Sequence, residues 1–401
     1  MKFVVSKQKI FFLVYWITYF KPPILERISI IIDRYWYLFH FLLFALIIGE
    51  YITNFGELHK KRMTAVYIFT YIFLLWCAIC VMIKEPSAIN IYITEIIHVI
   101  ELIVVFKITF FKYGEDAIKL PIFVSKMYLA INFISMIFFP KGLFYSNIGS
   151  SSIRAQWILG SKNSIPIFIL VFNMFIMLNL VITKHKSNGI YVIISLFSIV
   201  YAGANGISFL GGSSAGIVAI TIGVLLYIYI FLLEKRKQFI FLSPKIVAGI
   251  IIFANVILLG STTIPIINDI IVNVFHKSLD FSGRRELWKF AFCNISKSII
   301  LGHGASKFGL IRYFDGITPT FTTYVYNMLL RLWLRYGIVS IVLYFFAIFS
   351  LNFEKNIKYF TILIGLFTIA IFGLLNEIDL NNMFICIFLI EEMYLINCKK
   401  M

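Results

Sequence analysis

The chain has 401 residues, of which 61% are hydrophobic and only 14% are charged, and it contains 43 Phe and 22 Tyr. Soluble domains carry about 25% charged residues, so this composition excludes a soluble fold. The net charge of +17 would suit a nucleic-acid-binding protein, but Lys and Arg also collect in the cytoplasmic loops of membrane proteins. We therefore predict an all-α, polytopic integral membrane protein with no nucleic-acid partner.

Apolar runs long enough to cross a hydrocarbon core about 30 Å thick recur along the whole sequence. The first run follows a basic start but lacks a small-residue cleavage site, so we interpret it as a retained span rather than a signal peptide. The runs predict about twelve transmembrane helices, near residues 9–20, 36–53, 64–83, 89–108, 119–139, 165–183, 189–209, 214–233, 245–266, 336–352, 358–375 and 380–397.

Basic connectors between these runs fall on alternate sides. HKKR at 59–62, KHK at 184–186, EKRK at 234–237 and EKNIK at 354–358 share one side with the C-terminal lysines. The positive-inside rule makes that side the cytoplasm. The bias toward Ile, Lys, Phe and Asn is typical of an AT-rich bacterial genome. We predict one transmembrane domain over 1–401 in a bacterial plasma membrane, with both termini cytoplasmic.

Two of the outward connectors are long, one at 140–164 and one at 267–335. In the large outward-facing loop at 267–335, basic residues outnumber acidic ones, which opposes the general charge bias and predicts an anionic ligand outside. The five cysteines show no disulfide or metal-site spacing, and no metal site is predicted.

An amphipathic helix is predicted after Ser282 or Gly283, which could cap it. Its apolar face indicates a helix on the outer membrane surface that ends at Gly302-His303-Gly304. Arg284 and Arg285 open this helix, where free N–H groups favour anions and guanidinium groups can bind phosphate in a bidentate manner. The alternative, cations that extend to lipid headgroups, suits the helix's lysines better than this arginine pair.

The next helix along the chain has a polar stripe of Asn327, Arg331 and Arg335, spaced i, i+4, i+8. This helix is otherwise apolar and continues into the span at 336–352. An arginine within a span costs about 2.5–3.5 kcal/mol on insertion scales. Because no acidic residue lies one turn away, the partner must come from elsewhere in the bundle or from a ligand. Extension of the arginines to the outer headgroups is the alternative.

A third cationic element, Arg154 with Asn163, also faces outward, and three such elements could converge on one diphosphate. Glu377 and Asp379 are outward-facing carboxylates and candidates for a general base, although the polarity of a turn explains them equally well. Three further ionisable residues share a broad face of the span at 89–108, namely Glu95, His98 and Glu101. For them, pairing with a lysine such as Lys107 or Lys126 competes with a functional role.

The ordered segments SGRRELW, SIILGHGASKFG and TTYVYNMLLRLWLRYGIVS resemble motifs of the O-antigen and capsular polysaccharide polymerase (Wzy) family and of the related O-antigen ligase family. RAQWILGSKN resembles an earlier outer-loop pattern of the same families. The resemblance implies a glycosyltransferase that joins undecaprenyl-diphosphate-linked oligosaccharide repeat units into a capsule or O-antigen polymer. The site would face outward, and no nucleotide, metal or other cofactor would be needed.

In family terms, Arg154, Arg284 and Arg331 would hold the diphosphates, with Arg285 as a further candidate. Tyr326 stands where ligases carry a histidine, which weakens the resemblance to ligases. Arg335 stands where relatives often carry an acidic residue, so the general base is unassigned, and His303 is the substitute candidate. The remaining residues that we expect to bind substrate are Arg285, Asn327, Arg335, Asn163, Trp288 and Tyr326.

The expected partners are the lipid-linked oligosaccharides, membrane lipid and a possible chain-length regulator protein. Two alternative functions stay open. A ligase would attach the glycan to a terminal acceptor, and a flippase or transporter would move lipid-linked oligosaccharide across the membrane. The long basic outer loop argues against the transporter.

Overall fold

The computed structural model describes residues 7–59, 63–147, 153–161, 163–183, 189–204, 214–235, 242–260, 284–305, 310–314, 318–322 and 325–400. The predicted caps Ser282 and Gly283, and most of the loop that precedes them, lie outside the described residues.

Long α-helices make up most of the described chain, which confirms the all-α polytopic fold class. A helix lies at each of the twelve predicted spans. The helices are α1 Lys7–Tyr19, α2 Ile24–Ile28, α3 Ile30–Thr53, α4 Phe55–His59, α5 Ala65–Lys84, α6 Ile89–Tyr113, α7 Lys119–Phe138, α8 Ile165–Thr183, α9 Gly189–Ala204, α10 Ser214–Lys235, α11 Pro244–Gly260, α12 Arg284–Ile295, α13 Met328–Phe349, α14 Ile357–Gly373 and α15 Leu380–Lys400.

Seven stretches of the described residues are long and apolar enough to cross a membrane, and three shorter apolar helices accompany them. One of the seven, Pro86–Phe138, contains both α6 and α7. The chain is therefore a multi-pass membrane protein.

Two small antiparallel sheets interrupt the helices, both within the connectors predicted to face outward. The first joins β1 Phe144–Asn147, β2 Ile153–Trp157 and β3 Gly160–Ser161, and the second joins β4 Leu310–Phe314 and β5 Thr318–Thr322. No strand was predicted in either connector.

Connectors that were predicted to share a side meet at the same end of the bundle. At one end, the backbone N–H of Val325, which closes the large outward loop, donates to Glu377, which was also predicted to face outward. At the other end, Lys358 Nζ of the basic connector at 354–358 lies 2.9 Å from Glu115 Oε2, between α6 and α7.

Helix α12 packs differently from the prediction. Its apolar face, which includes Leu287 and Trp288, is buried against Val325, Leu330 and Leu334. The start of α13 therefore covers the surface that was expected to rest on lipid, and the prediction of a membrane-surface helix is wrong. The helix also ends at Ile295, well before Gly302.

Helix α13 is broken at Gly337, whose φ of 74° lies in the left-handed region. A Cβ at this position would overlap the carbonyl oxygen of Ile300, so only glycine admits the close approach. The break frees backbone carbonyls of α13, and the N–H groups of His303 and Gly304 donate to those of Leu334 and Arg335. These two hydrogen bonds hold the segment after α12 against the break in α13.

Candidate functional site

The two arginines of the predicted stripe on α13 meet a carboxylate from α6. Glu95 Oε1 accepts from Arg331 at 2.9 Å and from Arg335 at 2.6 Å, and its Oε2 accepts from the Tyr336 hydroxyl at 2.9 Å. The side chains of these three ion-paired residues are 14–19% exposed. The partner of the stripe is thus part of the bundle, and of the two alternatives left open for Glu95, pairing with a lysine is wrong.

Two further carboxylates approach Arg331 from the connector between α14 and α15. Glu377 Oε2 lies 3.6 Å and Asp379 Oδ1 lies 3.8 Å from Arg331 Nη1. The Glu377 side chain is nearly buried and also accepts the backbone N–H of Val325. The Asp379 side chain is 77% exposed, so among the three carboxylates around Arg331 it is the one that a substrate can reach.

Helix α12 is fixed beside this network. The indole N–H of Trp288 donates to the carbonyl oxygen of Val325 at 2.9 Å, and Val325 is also the residue that contacts Glu377. Trp288 is buried. Trp288 therefore packs α12 against the start of α13 in the structure, whereas the prediction assigned it to substrate binding.

At the start of α12, the guanidinium carbon of Arg284 lies 5.1 Å from the centre of the Tyr326 ring. Tyr326 has a φ of 55°, a conformation that is uncommon for a bulky residue and that concentrates at functional sites. The next residue along α12, Arg285, has a buried Nε atom with no hydrogen-bond partner among the described residues. A buried donor of this kind favours a bound acceptor.

Asn327 is buried and caps α13, since its side chain accepts the backbone N–H of Leu330 at 2.8 Å. Its amide nitrogen donates to Asn255 Oδ1 and to the carbonyl oxygen of Leu374. Asn327, which was predicted to bind substrate, therefore joins α13 to two neighbouring helices.

His303 lies in the turn fastened to the break in α13. Its Nε2 atom is 2.8 Å from the carbonyl oxygen of Asn294. A carbonyl only accepts, so Nε2 carries the proton in this contact and does not serve there as a base.

The remaining predicted site residues lie in the first sheet and after it. Arg154 lies in β2, where its backbone pairs with that of Ser146 in β1. The side chain of Arg154 lies outside the described part of the structure. Asn163 is exposed in the turn before α8. The predicted convergence of Arg154 with the other arginines stays a prediction.

Sequence reasoning missed the role of one buried residue, His40 of α3. His40 Nε2 lies 3.1 Å from Glu101 Oε1, and His98 Nδ1 lies 2.7 Å from Glu101 Oε2. The spacing of Glu95, His98 and Glu101 indicated a polar face on α6. It contained no signal for partners that are distant along the chain.

Comparison with protein families gives a match over less than half of the chain. Residues 197–345 match the Wzy_C family model, which is described as O-antigen ligase. The match includes α12 and most of α13, so the resemblance predicted from SGRRELW and NMLLRLWLRYG is confirmed for this segment. It indicates a membrane enzyme of the O-antigen ligase or polymerase type. No curated protein and no solved structure matches the chain.

A groove of about 440 Å³ lies between α11 and α13, largely within the segment of the O-antigen ligase match. Its walls are apolar except for Asn255, whose side chain accepts a hydrogen bond from Asn327. The groove extends along α13 from Phe349 to Leu329, and Leu330 in its wall also packs against the apolar face of α12. An apolar groove that reaches α12 fits a ligand with a lipid tail.

Proposed function

We propose that the protein is an oligosaccharide repeat unit polymerase, which transfers a glycan from a polyprenyl diphosphate carrier to a second lipid-linked unit. The observation that carries the proposal is the meeting of two arginine-bearing helices with an exposed carboxylate at one end of the bundle. Arginines suit the diphosphate of the donor, and a carboxylate suits the hydroxyl of the acceptor.

The diphosphate is assigned to the start of α12. Arg284 rests against the ring of Tyr326, and Arg285 has a buried Nε that a phosphate oxygen would satisfy. Charge develops on the diphosphate as the sugar leaves, so guanidinium groups placed there stabilise the transition state more than the ground state. The groove between α11 and α13 would hold the polyprenyl chain.

Asp379 is assigned as the general base, since it is exposed and lies beside Arg331. The acceptor hydroxyl would attack the anomeric carbon while the bond from that carbon to the diphosphate oxygen breaks. The hydroxyl proton would pass to Asp379, and the negative charge would stay on the carrier diphosphate. Arg331, predicted to bind a diphosphate, is here a positioning residue that holds Glu377 and Asp379 in place.

The description of the matching family favours a second candidate, a ligase that attaches a finished glycan to a terminal acceptor. The same arginines and the same carboxylate would serve that reaction. The two functions differ only in the acceptor, so they are separated by the products that a cell accumulates.

The test is electrophoresis of surface polysaccharide and lipid-linked glycan from cells that express Arg284→Ala, with the amount of protein confirmed. Lys289→Ala is the matched control, because Lys289 lies on the same helix but is exposed and paired with Glu286. For a polymerase, Arg284→Ala should accumulate single lipid-linked repeat units and lose long chains, and the control should not.

Long lipid-linked chains that fail to reach their final acceptor would indicate the ligase instead. Single units that accumulate on the cytoplasmic face would indicate a flippase. Normal chain length in Arg284→Ala would contradict the assignment of Arg284 to the diphosphate.

A further inference from the structure

A second cluster of ionisable groups lies deeper along α6, outside the segment of the family match. His40 of α3 and His98 of α6 each face one oxygen of the Glu101 carboxylate, at 3.1 and 2.7 Å. The atoms of these three residues that could bind a metal ion, two imidazole nitrogens and a carboxylate oxygen, all lie within 4.8 Å of one another. The Glu101 side chain is fully buried and that of His40 nearly so, whereas that of His98 is 29% exposed.

The hydrogen bonds of Thr18 fix the orientation of the His40 ring. The Thr18 hydroxyl donates to the carbonyl oxygen of Tyr15 at 2.8 Å, and it also lies 2.9 Å from His40 Nδ1. A hydroxyl has one hydrogen, so Thr18 accepts from Nδ1–H. In the neutral ring, the lone pair is then on Nε2, which points toward the carboxylate.

The lone pair of His40 Nε2 and the buried charge of Glu101 lie 3.1 Å apart, and a cation between them would satisfy both. A metal-bound histidine commonly donates its other ring N–H to an oxygen in the surrounding shell, as His40 does to Thr18. With both imidazoles neutral and no cation bound, Glu101 would be a buried carboxylate without a balancing charge.

We propose that His40, His98 and Glu101 form a binding site for a divalent transition-metal ion, with Zn²⁺ as the ion that fits best. Two imidazole nitrogens and a carboxylate are a known zinc ligand set that leaves a fourth position open. Ligands about 2.0–2.1 Å from a tetrahedral zinc ion lie about 3.4 Å apart, so small side-chain movements would admit the ion.

A tyrosine beside His40 has a phenol oxygen without a partner in the described part of the chain. The phenol oxygen of Tyr15 is buried without a hydrogen-bond partner among the described residues, and its ring centre lies 5.1 Å from that of His40. A water molecule on the zinc ion would provide that partner. The partly exposed His98 provides the route by which the ion enters.

The site would tie α3 to α6 close to the arginine network. Glu101 follows Glu95 by six residues, which is about 9 Å along an α-helix. The bound ion would thus stiffen the helix whose Glu95 holds Arg331 and Arg335. The proposal does not depend on the identity of the glycosyl acceptor.

The test uses the full-length protein in detergent, stripped of metal with a chelator and then titrated with Zn²⁺ against a chromophoric competitor. We expect one Zn²⁺ per chain in the wild type and at least tenfold weaker binding in His98→Ala and in Glu101→Gln. His303→Ala is the control, because the His303 imidazole contacts the carbonyl oxygen of Asn294 and is not part of the cluster, and it should bind zinc like the wild type.

A second measurement needs no variant. Zinc should raise the unfolding temperature of the stripped wild type, and X-ray absorption of the loaded protein should show two imidazole ligands. Absence of zinc binding, or equal affinity in the wild type and His98→Ala, would overturn the proposal and leave a hydrogen-bonded cluster.

Discussion

Substitution of Glu95 by Gln tests the pairing that joins α6 to α13. Glu95 accepts from two arginines at 2.6 and 2.9 Å, and its side chain is only 19% exposed. Removal of one partner from a buried pair costs about 3–5 kcal/mol. Glutamine keeps the volume and one acceptor oxygen, so we expect the lower end, about 3 kcal/mol, in the free energy of unfolding.

The assay is denaturant unfolding of the purified protein in mixed micelles, extended to a double-mutant cycle with Arg335→Gln. Charge-assisted hydrogen bonds contribute about 1.5–3 kcal/mol, and the cycle should return a coupling energy in that range. The matched control is Glu286→Gln, which breaks a pair whose side chains are 61 and 67% exposed. The control should change stability by no more than about 0.5 kcal/mol. Equal effects of the two substitutions, or a coupling energy near zero, would refute the reasoning.

Three further predictions concern the break in α13, its cap and the proposed base. Gly337→Ala should destabilise the protein in thermal unfolding, because its Cβ would overlap the carbonyl oxygen of Ile300. Gly249→Ala is the control: no atom of the described residues lies within 4 Å of its Cβ, so it should be neutral or stabilise by about 0.5–1 kcal/mol. Asn327→Ala should lower the free energy of unfolding by about 2 kcal/mol, because it removes a helix cap and two side-chain hydrogen bonds of a buried residue. Denaturant unfolding measures this loss, and an unchanged midpoint would contradict it. Asp379→Asn should lower the turnover number about 10²–10⁴-fold, as expected for a lost general base. It should leave stability unchanged, because the Asp379 side chain is exposed. Full activity of this variant would exclude Asp379 as the base.

The positions of the spans were predictable, because each of them is a long run of apolar residues and lipid selects such runs directly. The stripe of Arg331 and Arg335 was predictable for a related reason, since the i, i+4 spacing places both on one face. Their partner was not, because Glu95 is 236 residues away from Arg331 in the sequence. A single sequence does not contain the register between helices that are so far apart.

The error over α12 has a different cause. Its amphipathic pattern correctly predicted a helix with one apolar face, but the pattern is the same whether lipid or protein covers that face. The structure covers it with Val325, Leu330 and Leu334. The turn after α12 was unpredictable in the same way, since its fastening to α13 depends on a break that Gly337 permits.

The most direct test of the proposed function is a reconstituted reaction with purified protein and a synthetic repeat unit linked to undecaprenyl diphosphate. The lipid-linked products are then resolved by mass. We predict a series that grows by one repeat unit per step, with release of undecaprenyl diphosphate, in the absence of any added nucleotide. Arg284→Ala should abolish the series, and Lys289→Ala should retain it. A donor that stays intact with the folded wild-type protein would contradict glycosyl transfer from a lipid diphosphate.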